Sequence, residues 1–151
     1  MKIINLINDS SYIKNVVNWL WSEWGTERNY NYWKSWVENS TFIDKIPQTF
    51  IALEAEEIIG TISIWRCDLQ SRQDIFPWLG GLFVKEEYRK KGIGLELQKH
   101  AFKVTIDLGY TDIYMFTVLN DYFEKLGWKY MEDIPDENGN MVKLYRKDLY
   151  A

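Results

Sequence analysis

Three cations followed by two spaced glycines, Arg89-Lys90-Lys91-Gly92-Ile93-Gly94, form the stretch of this sequence best suited to chemistry. They follow an apolar run, Trp78 to Val84, and precede residues with helical spacing, which puts them in a turn between a strand and a helix. The first amides of a helix have no intrahelical acceptor, and the helix dipole adds about half a positive charge there. Glycine lets the backbone approach an oxyanion closely, and Arg89, Lys90 and Lys91 add formal charge. The arrangement predicts an anion site that would fit a pyrophosphate.

Two familiar phosphate loops do not match. A P-loop ends in Gly-Lys-[Ser/Thr], and no such string occurs in the chain. A dinucleotide fingerprint needs a third glycine three positions after the second, where Leu97 stands. Gly-x-Gly is common near helix ends, so a merely charged cap remains the competing reading. Other groups that could move protons are scattered. Glu54 and Asp68 lie near strand ends, where Asp is more often a turn former. His100 sits mid-helix and reads as structural, while Cys67 reads as a small apolar residue without an activating partner.

The elements that must position these groups follow from periodicity and punctuation. Ile3 to Ile7 reads as a strand. Asp9-Ser10-Ser11 offers cap oxygens before Ile13, Val16, Val17, Leu20 and Trp24, with Gly25 closing that helix. A second amphipathic stretch spans about Asn29 to Asn39. Thr49 to Leu53 and Ile58 to Trp65 predict a hairpin, and Cys67 to Pro77 a loop. Gly80-Gly81 inside the next strand predicts a bulge or a close approach. Ile93, Leu97, Ala101, Val104 and Leu108 predict a helix stopped by Gly109. A strand at Asp112 to Thr117, a short helix at about Asn120 to Leu126, and strands near Trp128–Ile134 and Met141–Lys147 complete a mixed α/β chain around one sheet.

Composition limits the possibilities further. A length of 151 residues suits one domain, residues 1–151. Net charge is −4, which argues against nonspecific nucleic-acid binding. The lone cysteine forms no intramolecular disulfide, and no Cys/His group has metal-ligand spacing, so no metal is expected. No run approaches the roughly 18 apolar residues of a membrane span, and the first residues carry no signal-peptide pattern. The expectation is a soluble, cytoplasmic protein. Five of the eight tryptophans lie between Trp19 and Trp36, which marks an aromatic helical pair.

Arg89-Lys90-Lys91-Gly92-Ile93-Gly94 resembles the [Arg/Gln]-x-x-Gly-x-[Gly/Ala] motif of GNAT acetyltransferases. Tyr122-Phe123-Glu124-Lys125-Leu126-Gly127-Trp128 is similar to that family's Tyr-Glu-x-Leu-Gly-[Phe/Trp] element. Asp68-Leu69, Pro77-Trp78-Leu79 and the tryptophan-rich helices look like a bacterial branch of it. The resemblance covers nearly the whole chain. It implies a mostly antiparallel sheet flanked by helices, and acetyl transfer from acetyl-CoA to an amine by direct attack.

The resemblance also implies roles. The backbone of Leu82, Phe83 and Val84 would pair with the pantetheine arm, and amides from Arg89 through Lys90, Lys91, Gly92 and Ile93 to Gly94 would hold the pyrophosphate. Many members use a Tyr in the second block to protonate the departing thiolate; Phe123 stands at that position here, with Tyr122 beside it. Tyr122 and Asp68 are the catalytic candidates. Residues adjacent on a helix point about 100° apart, so Tyr122 is not a simple replacement. The acceptor would be a small amine, cationic or aromatic, with a homodimer also possible. A non-catalytic acyl-CoA sensor and a tryptophan-rich interaction module are the competing readings.

Overall fold

The computed structural model describes residues 1–151. One seven-stranded sheet organises the chain: β1 (Lys2–Asn5), β2 (Gln48–Glu54), β3 (Glu57–Trp65), β4 (Trp78–Val84), β5 (Asp112–Thr117), β6 (Lys129–Pro135) and β7 (Met141–Asp148). Their spatial order is β1-β2-β3-β4-β5-β7-β6. Every neighbouring pair is antiparallel except β4 and β5. Helices α1 (Ile13–Trp24) and α2 (Tyr30–Glu38) cover one face, and α3 (Ile93–Asp107) covers the other.

Alternation along the strands explains the layering. In β2, Phe50 and Ala52 join Leu97 and Ala101 of α3 in one core cluster. Ile51 and Leu53, pointing the other way, pack with Val16, Val17 and Leu20 of α1. The central strands are apolar on both faces because each face carries a helix layer.

Two expected elements change. The first strand ends at Asn5 instead of continuing to Ile7. The Asn5 carboxamide oxygen accepts from Ile7 N–H at 3.0 Å and starts a 3-10 turn, which drops Leu6 into the core fully buried. The expected helix at Asn120–Leu126 contracts to a single 3-10 turn, Glu124–Leu126. Asp121 takes a left-handed conformation at φ +59°, which a helix cannot continue through.

The pairing of β4 positions the site. β4 meets β5 only where Trp78 faces Tyr114, so beyond Trp78 these parallel strands part. On its other side β4 stays paired with β3 but slips: Thr61 faces Phe83, whereas Ser63 faces Gly80. The extra residue makes a bulge in which Gly81 adopts φ +62°. The expected interruption at Gly80-Gly81 is therefore a bulge at the mouth of a notch.

Candidate active site

The turn after β4 is built to expose amides. Lys85 N–H is held by Ile59 O at 2.8 Å, a 3-10 turn covers Glu86–Tyr88, and the chain then enters α3 through Gly92. Lys90 (φ +61°) and Gly92 (φ +82°) are both left-handed, and such alternation gathers successive N–H groups into a concave, anion-binding surface. The first backbone bond of α3 is Glu96 N–H to Gly92 O at 3.0 Å. The amides of Ile93, Gly94 and Leu95 precede it and have no intrahelical acceptor. A β-carbon on Gly92 would touch nothing within 4 Å, so glycine is needed there for its dihedral and not for space.

The cations divide into two groups. Lys85 is paired with Glu57 at 2.6 Å and Glu87 at 3.2 Å, which cancels its charge locally. The exposed Arg89, Lys90 and Lys91 form no ion pair with a carboxylate. Arg89 Nε donates to Val84 O at 2.7 Å and its guanidinium lies 5.4 Å from the centre of the Phe83 ring. Phe83 in turn stacks on Trp19 at 4.8 Å, so the side chain of Arg89 is anchored to β4. Lys91 Nζ rests over Tyr88 at 5.3 Å.

A cavity of about 900 Å³ opens where β4 and β5 part. The bulge residues Gly80, Gly81 and Leu82 form one wall, and Met115, Phe116 and Thr117 of β5 form the opposite one. Trp24, Tyr32, Trp33 and Trp36 from the first two helices close it, with Trp65 at its floor. Trp36 meets Trp65 edge-on at 5.1 Å and lies tilted against Trp33 at 5.7 Å. The aromatic pair of helices and the glycine-rich strand thus face one another across a single cleft. A smaller recess of about 320 Å³ between α1 and α2 holds Lys14 and Lys34 but no residue of the loop or the notch.

Asp68 lines this cavity from the loop after β3. Its Oδ2 lies 3.0 Å from where a β-carbon on Gly80 would be, which sets the carboxyl beside the notch. Burial pushes its pKa up to about 7, and the negative charge of Glu137 pushes the same way. Part of the residue's surface stays accessible through the cavity, while the dense aromatic surroundings desolvate the carboxyl itself. Glu137 arrives from the turn between β6 and β7, with Asp136. Asp136 is occupied by its own turn, accepting from Asn138 N–H and Asn140 N–H at 2.9 Å each. Tyr32 also senses these charges: burial raises its pKa, followed by Glu137 and then Asp68.

Tyr122 and Phe123 both line the cavity. Because the segment is not helical, the expected 100° divergence does not apply. Tyr122 is 53 % exposed and meets the ring of Phe123 edge-on at 4.7 Å, whereas Phe123 is buried against Trp128 and Tyr145. The remaining proton-transfer candidates lie elsewhere. Glu54 ends β2 at the far hairpin, 3.5 Å from the amino terminus. His100 packs edge-on against Phe50 at 4.8 Å, and burial followed by Lys103 lowers its pKa. Cys67 donates to Leu69 O at 3.3 Å, and burial raises its pKa. The contributions of Glu137 and Tyr32 were not apparent from the sequence, since neither has a local signal separable from an ordinary turn or helix surface.

The sequence profile described as "Acetyltransferase (GNAT) family" matches residues 13–128, which includes the loop, the notch and Asp68. The chain belongs to the acetyltransferase (GNAT) family. The family is one of acetyltransferases, and the chain has its mixed α/β fold. Among solved structures, an aminoglycoside 6'-acetyltransferase type Ii superposes with a TM-score of 0.76 at 22% identity, covering 99% of this chain and 97% of that one. An aminoglycoside 6'-N-acetyltransferase complexed with coenzyme A gives 0.76 at 19% identity, with the same coverage. A spermidine N-acetyltransferase variant from Vibrio cholerae gives 0.71 at 12% identity, covering 99% of this chain and 95% of that one. At these identities the likeness is one of fold. No curated protein matches the sequence. No helix is long and apolar enough to cross a membrane.

Proposed function

We propose that this GNAT protein, acting as one domain over residues 1–151, transfers the acetyl group of acetyl-CoA to a primary amine on a small cationic acceptor. The observation that carries the reading is the shared cavity: the notch beside the anion loop and a wall of aromatic rings and carboxylates open onto the same space. The free amides of Ile93, Gly94 and Leu95, with Lys90 and Lys91 nearby, suit the diphosphate. The edge of β4 at Leu82, Phe83 and Val84 has no β5 partner, which suits the amide-bearing pantetheine arm. A backbone amide at the Gly81 bulge would polarise the thioester carbonyl.

The acceptor nitrogen attacks the carbonyl carbon as the carbon–sulfur bond breaks. Asp68 takes the proton that the ammonium loses, a task for which a pKa near 7 is well matched. Tyr122 gives a proton to the thiolate and regains one from the second proton that the nitrogen loses as the amide forms. A free thiol ionises near pH 8.5, so this assistance is modest. Ring faces of Trp33, Trp36 and Tyr32 and the carboxylate of Glu137 would hold a cationic acceptor. Aminoglycosides and spermidine, the acceptors for which two of the similar structures are named, are polycationic amines as well.

One observation favours a non-catalytic acyl-CoA sensor: Phe123 has no proton to give where the family motif carries Tyr. Free-thiol release with acetyl-CoA and a panel of diamines, polyamines, aminoglycosides and neutral amines separates the two readings. Turnover with cationic amines and not with neutral ones is the expected result. Thiol release no faster than buffer hydrolysis with every amine would leave the sensor.

A further inference from the structure

Gln98 is the one polar side chain that α3 contributes to the cavity, and it sits among apolar neighbours. It is 2 % exposed, and its carboxamide oxygen is buried with no hydrogen-bond partner in the chain. Leu97 and Ala101, the adjoining residues on this helix face, are both fully buried. An unpaired carboxamide in such a place is unfavourable for folding unless something else satisfies it. Helical periodicity also assigns the position to the sheet-facing side, where a leucine or methionine would pack without that cost.

The depth of Gln98 indicates what it meets. It lies six residues beyond Gly92, about 9 Å along the helix. The Gly81 bulge lies three residues back from Val84, about 10 Å along the strand. Gln98 and the bulge residues Gly80 and Gly81 line the same cavity, which opens where β4 and β5 part. Resting on the acetyl-CoA reading above, we propose that Gln98 is a positioning residue whose carboxamide hydrogen-bonds an amide group of the pantetheine arm from the α3 side. An arm anchored at the loop carries amide groups, not diphosphate, at that depth. A primary carboxamide offers both a donor and an acceptor to such a group, so it complements either orientation of the arm. The backbone edge of β4 grips the arm along one side, and Gln98 fixes its depth.

Gln98→Met keeps the length of the side chain and removes its hydrogen bonding, and Gln98→Leu is the second test. Calorimetry with two probes, acetyl-CoA and the armless 3'-phospho-ADP, reads the effect. Both variants should bind acetyl-CoA about fivefold to tenfold more weakly, the loss of one neutral hydrogen bond. Their affinity for 3'-phospho-ADP should match the wild type, and their melting temperature should stay level or rise. Acetyl-CoA binding at wild-type strength in a folded variant, or equal weakening of both probes, would overturn the proposal. A wild type that binds neither probe would remove the acetyl-CoA reading itself, and the role of Gln98 would fall with it.

Discussion

Asp68 fills the space where Gly80 lacks a side chain: its Oδ2 stands 3.0 Å from the point a β-carbon on Gly80 would occupy, and the Trp65 ring crosses the same point more closely still. Glycine at position 80 is thus what allows a carboxyl and an aromatic ring to crowd the edge of the notch. Gly80→Ala forces Trp65 and Asp68 to move. It should cost about 1–3 kcal/mol of stability, the usual range for overpacking. Thermal unfolding measures that loss, and thiol release should show a larger fall in turnover than in acetyl-CoA affinity.

In the proposed mechanism Asp68 works as a base only when ionised. With its pKa at about 7, kcat/KM should rise with pH through that value and fall about tenfold per unit below it. Asp68→Asn should lower kcat/KM by about a hundredfold and remove that limb of the profile. Retention of the limb in the variant would assign it to another group.

Glu137 raises the pKa of Asp68 from across the cavity. Glu137→Gln should therefore move the acid limb to lower pH. It should also raise KM for a dicationic acceptor while leaving acetyl-CoA affinity unchanged. The pH profile and the two affinities can be measured on one preparation.

The same carboxyl affects stability, with a fixed sign. Its folded pKa is about 7 against 3.8 for an unperturbed Asp, so the native state binds the proton more tightly than the unfolded chain. Its relative stabilisation is complete below pH 4 and is lost as pH rises to about 7. Asp68→Asn should equal the wild type near pH 4 and exceed it at pH 8, by at most ~4 kcal/mol. Denaturant unfolding at the two pH values tests this.

Sequence reading succeeded where local chemistry leaves a local mark. Gly92 was readable because a left-handed entry into a helix needs glycine, and Gly80-Gly81 because two glycines rarely interrupt an apolar strand without cause. The layered sheet followed from alternation in β2 and β3 and helical spacing in α3. Leu6 sits in an apolar run that looks like a strand, and nothing in that run reveals that Asn5 turns it. The helix expected at Asn120–Leu126 gave way to Asp121, whose left-handed backbone has no obligate residue type. Glu137 reaches Asp68 only through the fold, from a turn far along the chain. An exposed bridge, Arg72 to Glu132 at 3.1 Å, links the loop carrying Asp68 to the strand leading toward that turn. The tryptophan-rich helices stand out in the sequence as an aromatic pair, but only the fold shows that they line the same cleft as the glycine strand.

Acetyl-CoA binding, titrated by calorimetry into the wild type and into Gly92→Glu, tests the central claim most directly. A β-carbon at Gly92 meets nothing within 4 Å, so the variant folds with only the strain of a left-handed residue, about 1 kcal/mol. It nonetheless puts a carboxylate among the amides assigned to the diphosphate. The account predicts micromolar binding by the wild type and none measurable by the folded variant. A folded wild type that fails to bind acetyl-CoA, or a variant that binds it equally well, would contradict it.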